Sequence, residues 1–302
     1  MVNRTLIEAG RRRGHTIRMR SVRPDVDEGI GKADLYWLVD VFNFPQTFKS
    51  RGAWLRFPNA LLEDMAANRP FIHMSNAYAD ICNLGHLPCS GRAEEQCLYK
   101  SPLRVVHNLA LRDFRQQCFA REPLVRKLFA NSMLNVYVSP LHQRIIEAIL
   151  RNDRGTSALV LKPLIDHTLF YNRGLDRDIE YLFVGLIGEA KGLAAMRRRF
   201  RGTDIHFVGS IAPGEKLDFG TYHGSVPYSD IPHFMNRAKH FVFLPRWPEP
   251  QGRVVTEAAL CGCKLITNQN VGATSFPFDI SDPANFAGAT DEFWDAIEQI
   301  RP

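Results

Sequence analysis

Two glutamates, Glu249 and Glu257, stand eight positions apart with Gly252 and Arg253 between them, inside the stretch FVFLPRWPEPQGRVVTEAALCGCKLITNQNVG that runs from Phe241 to Gly272. On a helix opening at Gly252, Arg253 and Glu257 share a face at a separation of one turn. Val254, Val255, Ala258 and Ala259 fall where they can turn toward a sheet. Arg253 lies in the first turn, where a cation opposes the helix dipole. That placement suits a site for an anion, because the helix N-terminus and the guanidinium can both face a phosphate. The spacing leaves a second reading open, in which Arg253 and Glu257 only pair on the surface.

The elements around these residues follow from the hydrophobic pattern. FVFLP reads as a buried strand, a Pro-interrupted loop carries Glu249, a helix follows, and KLITN is a second strand before a Gly-rich turn. A strand, loop, helix and strand in that order make half of a doubly wound sheet, which binds ligands at the carboxyl ends of its strands. Upstream, EYLFVGLIGEAKG (residues 180–192) is a strand running through Gly185 into a turn with Lys191 ahead of a helix. DIHFVGS is the next strand, and a helix is expected from about Ser229.

The segment EPQGRVVTE, followed by AALCGCKLITNQNVG, resembles the donor-site signature of the retaining GT-B glycosyltransferases of family 4, or group 1: a glutamate, seven residues and a second glutamate, with a glycine between. The resemblance runs from about Lys162 to Asn270. In that family a Gly-Arg pair ends the strand matched by 180–185, and a lysine follows; the two cations hold the donor diphosphate. Lys191 matches the lysine, but Leu186 stands where the arginine would, so Arg246 or Arg253 would have to substitute. The resemblance implies two Rossmann-like α/β domains facing across a cleft, and sugar transfer from a nucleotide-sugar to an acceptor hydroxyl with retention. Glu249 would hold hydroxyls of the donor sugar and Glu257 those of the ribose, because a carboxylate accepts from two neighbouring hydroxyls. Lys191, Arg253 and amides near Gly252 would stabilise the departing diphosphate, with Gly185 and Arg246 lining the same site. No metal or other cofactor is expected, since an Asp-x-Asp motif is not evident in a suitable context. A nucleotide-sugar binding or partner subunit with weakened catalysis, favoured by Leu186, and a nucleotide-sugar epimerase on the same fold are the two rivals.

The first half is harder to read. TIRMRS, ADLYWLVDVFNF and FIHMS are strand-like and LLEDMAANRP is helical, while SPLRVVHNLALRDF and MLNVYVSPLHQRIIEAIL read as two strand-to-helix passages. The polar stretch Arg151–Thr156 suggests a domain division of 1–155 and 156–302. The helix VNRTLIEAGRRRGH comes almost at once, so the family's usual first strand has no counterpart. Either the first domain is shortened, or its true start lies upstream. His73, at a strand's carboxyl end, is either structural or a catalytic residue facing the cleft. Cys82, Cys89 and Cys97 with His86 could suggest zinc, but their gaps exceed the short pairs of structural zinc sites, and packed thiols are the simpler reading.

Composition excludes more than it assigns. With 302 residues, 45% hydrophobic and 23% charged, the chain is an ordinary globular protein large enough for two domains. No run of eighteen apolar residues spans a membrane, and the first residues lack the apolar core of a signal peptide. Six cysteines without a secretion signal are read as reduced thiols in the cytoplasm. The net charge of +6 includes the runs Arg11–Arg13 and Arg197–Arg199. No nucleic-acid signature accompanies them, so they are solvated helix faces or a peripheral contact with an anionic inner membrane face. The partners expected are a nucleotide-sugar donor and a glycan or lipid-linked acceptor.

Overall fold

The structure is a computed structural model that describes residues 2–20, 31–41, 59–82, 85, 87, 120, 123–150 and 157–300. His86, Cys89 and Cys97, the passage SPLRVVHNLALRDF and the stretch Arg151–Thr156 lie outside the described residues. The chain forms two compact α/β units, each built on a parallel sheet. One holds Met1–Val138, His142–Leu161 and Gly288–Pro302; the other holds Ser139–Leu141 and Lys162–Ala287. The C-terminal helix therefore groups with the first unit, which a single division of the sequence does not anticipate.

In the first unit the described elements are α1 (Val2–Arg12), β1 (Tyr36–Val39), α2 (Asn59–Asn68), β2 (Phe71–Met74), α3 (Pro123–Asn131), β3 (Leu134–Tyr137), α4 (Pro140–Leu150, from His142 onward), β4 (Ala158–Val160) and α8 (Ala289–Gln299). The strands lie side by side in the order β1-β2-β3-β4, all parallel, with Leu38 opposite His73 and His73 opposite Asn135. β2 and β3 are buried at every position, as strands covered on both faces must be. The four strands pair without a gap, so no interior edge among them is left without a neighbour. TIRMRS does not form a strand: Thr16–Arg20 carries no ladder, and Met19 is exposed. Among the described residues its alternating pattern has no partner strand, and a strand exists only through pairing.

α1 and α8 pack together inside this unit. The indole of Trp294 lies against Gly10, and its Nε1 donates to the Leu6 carbonyl at 2.9 Å. Any side chain at Gly10 would collide with that ring. His15 stacks on Trp294 at 4.6 Å, and Arg13 pairs with Asp295 and Glu298 of α8. One arginine of the first basic run is thus committed to an intrachain pair. In the second run Arg197 does the same, donating to Asp218 at 2.9 Å.

The second unit contains β5 (Ile179–Val184), α5 (Leu193–Phe200), β6 (Ile205–Val208), β7 (Thr221–Tyr222), α6 (Ile231–Arg237), β8 (Ala238–Phe243), α7 (Arg253–Leu260) and β9 (Lys264–Thr267). Its sheet order is β7-β6-β5-β8-β9, all parallel. From β5 the chain winds outward to β7, then returns to the far side of β5 as β8 and continues to β9. The reversal falls between β5 and β8. Phe183, Phe207 and Phe241 are fully buried in its core, and burying such a ring contributes about 1.5–3 kcal/mol each. α7 lies close on the sheet because Ala258 and Ala259 face it. The helix ends where Gly262 N–H bonds the Ala259 carbonyl and Cys263 N–H bonds that of Ala258, a Schellman closure.

Candidate functional site in the second unit

In an open parallel sheet the crevice for a ligand lies at the carboxyl ends of the strands flanking the winding reversal. Here these are β5 and β8, and each is followed by a charged residue singled out in the sequence. After β5 the chain passes Gly185, whose N–H bonds the Val208 carbonyl at 2.9 Å, and reaches Lys191 in a single 3-10 turn, Glu189–Lys191. After β8 it runs through Arg246 to Glu249. The Lys191 ammonium and Glu249 carboxylate form an ion pair across the reversal, with the two side chains 28% and 22% exposed. Lys191 Nζ also lies 5.7 Å from the centroid of the Phe243 ring.

Backbone geometry holds this pair in place. Gly192, between the 3-10 turn and α5, adopts φ +90°, and a Cβ there would sit 1.8 Å from the Leu244 carbonyl oxygen. Only glycine allows the Lys191 turn to approach the end of β8 so closely. The loop bearing Glu249 is clamped to the turn after β9. Glu249 N–H donates to the Asn270 carbonyl at 2.7 Å, and Gly272 N–H donates to the Glu249 carbonyl at 3.0 Å. Asn270 Nδ2 reaches the carbonyls of Pro245 and Arg246, both at 3.1 Å, and Asn268 Nδ2 reaches that of Pro245 at 2.9 Å. The NQNVG turn is therefore a clamp for the Glu249 loop, a role that the Gly-rich pattern alone did not disclose.

Gly252 precedes α7 in a left-handed conformation, φ +73°, with its Cα side facing Glu249 and Val271. At the start of the helix, Arg253 Nη2 donates to Oε1 of Glu257, one turn further on, at 3.0 Å. Glu257 is almost wholly buried, 5% exposed, so this is no surface pair. A third residue completes the group: Tyr228 donates its hydroxyl to Glu257 Oε1 at 2.7 Å and accepts from Arg253 at 3.0 Å. Burial, with the carboxylate beside it, pushes the Tyr228 phenol well above its ordinary range, so it stays a donor. Arg246 pairs with Glu189 of the Lys191 turn at 2.8 Å and lies over the Trp247 ring. Leu186 is exposed.

The cations at this site are each matched to a carboxylate, Lys191 to Glu249, Arg246 to Glu189 and Arg253 to Glu257. Such pairs can exchange partners. A diphosphate presents more charge and more acceptor oxygens than one carboxylate, so it can draw on these cations and leave carboxylate oxygens to accept from hydroxyls.

His73 belongs to the first unit, and its side chain is wholly buried rather than facing a cleft. Its Nε2 lies 3.3 Å from Asp80, itself buried, and the ring meets Phe129 edge-on. Around them Asp40, just after β1, accepts from both the backbone N–H and the side-chain amide of Asn76 at 2.8 Å. Burial and the nearby Asp80 raise the Asp40 carboxyl above its ordinary range. Cys82 is a half-buried thiol, and among the described residues no group of three or more His, Cys, Asp or Glu side chains is placed to hold a metal ion. No described helix is long and apolar enough to cross a membrane.

No protein-family model matches the chain, and no curated protein sequence does either. Several solved structures align with it at low identity. Anabaena HepE, in complex with UDP and glucose, aligns over 89% of this chain and 70% of its own at 16% identity, with a TM-score of 0.47. Sucrose-phosphate synthase from Thermosynechococcus elongatus aligns over 85% of this chain and 77% of its own, at 18% identity and a TM-score of 0.46. WaaG, a glycosyltransferase involved in lipopolysaccharide biosynthesis, aligns over 82% and 73% at 13% identity, again with a TM-score of 0.46. Likeness at this level carries no functional assignment, which has to rest on the residues of the site.

Proposed function

We propose that this chain is a retaining glycosyltransferase of GT-B type that holds a nucleotide-sugar donor on its second unit. The observation that carries the reading is the Lys191–Glu249 pair at the winding reversal between β5 and β8. The diphosphate takes Lys191 and a shared Arg253, whose Nη2 stays on Glu257 Oε1 and Tyr228, and it lies toward the opening turn of α7, whose N–H groups add a fixed positive dipole. Glu249, released from Lys191, accepts hydroxyls of the donor sugar, and Glu257 accepts those of the ribose. As the bond from sugar to phosphate breaks, charge grows on the departing diphosphate, and cations already in place stabilise it without reorganisation. A glycan or lipid-linked acceptor belongs to the same proposal, with the arginine runs offering peripheral contact to an anionic membrane.

The exposed Leu186 favours a second reading, a binding or partner subunit with weakened catalysis, because the family's arginine at that place is absent. Calorimetric titration with a panel of nucleoside diphosphates and nucleotide-sugars, followed by transfer assays, separates the two. Glu257→Ala is expected to weaken the whole series about 10-fold or more, the loss of a hydrogen bond to a charged group. Glu249→Ala is expected to weaken the sugar-bearing ligands far more than the bare diphosphates. Equal losses for both ligand types in both variants would remove the assigned roles. Tight binding without transfer to any acceptor would support the subunit.

A further inference from the structure

The Glu257 carboxylate is held unevenly. Oε1 receives two donors, the Tyr228 hydroxyl at 2.7 Å and Arg253 Nη2 at 3.0 Å, while Oε2 carries no hydrogen bond to a described residue. Tyr228 is itself fixed: it sits in the 3-10 turn Tyr228–Asp230 ahead of α6, its ring lies 5.3 Å from that of Phe170, and its oxygen accepts from Arg253 at 3.0 Å. The three groups form a closed triangle, Tyr228 to Glu257, Arg253 to Glu257 and Arg253 to Tyr228.

The alternative without the phenol is a matter of geometry. A guanidinium facing a carboxylate prefers two parallel hydrogen bonds, one to each oxygen. The terminal torsion of a glutamate is soft, so turning to that arrangement costs little. Tyr228 prevents it by engaging Oε1 from one side and drawing Arg253 Nη2 toward its own oxygen. We infer that Tyr228 is a positioning residue that keeps Glu257 Oε2 available for the ribose diol of a bound nucleotide and so sets preference for ribonucleotides over deoxyribonucleotides. This rests on the nucleotide-sugar reading above. Nothing in the sequence singles the residue out, because its partner lies 29 positions away.

The test is calorimetric titration of the intact chain with a ribonucleoside diphosphate and with its 2′,3′-dideoxy analogue, the base being the one the wild type binds. Tyr228→Phe, which removes one oxygen and keeps the ring, is expected to lose about tenfold in affinity for the ribonucleotide. It should bind the dideoxy analogue within twofold of wild type. In a Glu257→Ala background the same substitution should change neither ligand. An equal loss for both ligands would make Tyr228 a packing residue, and no loss for either would make it a bystander; each overturns the inference while leaving the nucleotide site standing. A wild type that binds no nucleoside diphosphate would remove the underlying reading and this inference with it.

Discussion

Acidification should unfold the first unit through one buried imidazole, His142. It is completely buried in α4, where Nδ1 accepts from Val138 N–H at 3.4 Å and Nε2 donates to the Ala77 carbonyl at 3.2 Å. Those bonds define a neutral ring, packed edge-on against Tyr78 and Tyr137. Burial is the main cause that pulls its pKa down from 6.5 to about 4, with His73 acting in the same sense and the Ala77 hydrogen bond and Asp80 against it. The folded state therefore binds this proton more weakly than the unfolded chain. The stability it contributes is whole above pH 6.5 and is lost as the pH falls toward 4, because the unfolded state takes up a proton that the native one refuses. The loss amounts to about 2 kcal/mol at pH 5 and about 3 kcal/mol at pH 4. Trp247→Phe leaves tryptophans only in the segments of the first unit, so urea unfolding followed by fluorescence then reports on that unit. In this background His142→Asn, whose oxygen can still accept from Val138, should be less stable at pH 7 yet lose about 3 kcal/mol less between pH 7 and pH 4. Parallel pH profiles for the two proteins would refute the reasoning.

Two further outcomes follow from the second unit. Lys191→Ala should weaken a nucleoside diphosphate about tenfold or more while leaving the nucleoside within twofold, because the ammonium meets only phosphate; an unchanged ratio in calorimetry would place the phosphates on other cations. Gly192→Ala should cost about 2–4 kcal/mol in thermal unfolding, combining a left-handed backbone with a collision against the Leu244 carbonyl. Gly214→Ala is the control, left-handed at φ +82° but open around its Cβ, and should cost only about 1 kcal/mol.

The passage from Phe241 to Thr267 was legible because its signals are local: an apolar run for β8, an i, i+4 pair on α7 and a Gly-Cys-Lys stop before β9. The same locality made Glu249, Arg253 and Glu257 stand out. TIRMRS misled because alternation describes a strand only where a neighbour pairs with it, and none among the described residues does. His73 was ambiguous because a histidine at a strand end reads the same whether it faces solvent or Asp80. By itself the sequence determined two α/β halves with parallel sheets and a carboxylate–cation set at the end of the second, since hydrophobic period and residue type suffice for both. Tertiary structure alone decided that α8 returns to the first unit, that Lys191 meets Glu249 across 58 positions and that Tyr228 holds Glu257 across 29. Those contacts arise from how β5 and β8 become neighbours and where the turns before α5, α6 and α7 project, and no local pattern encodes a distance between residues so far apart along the chain.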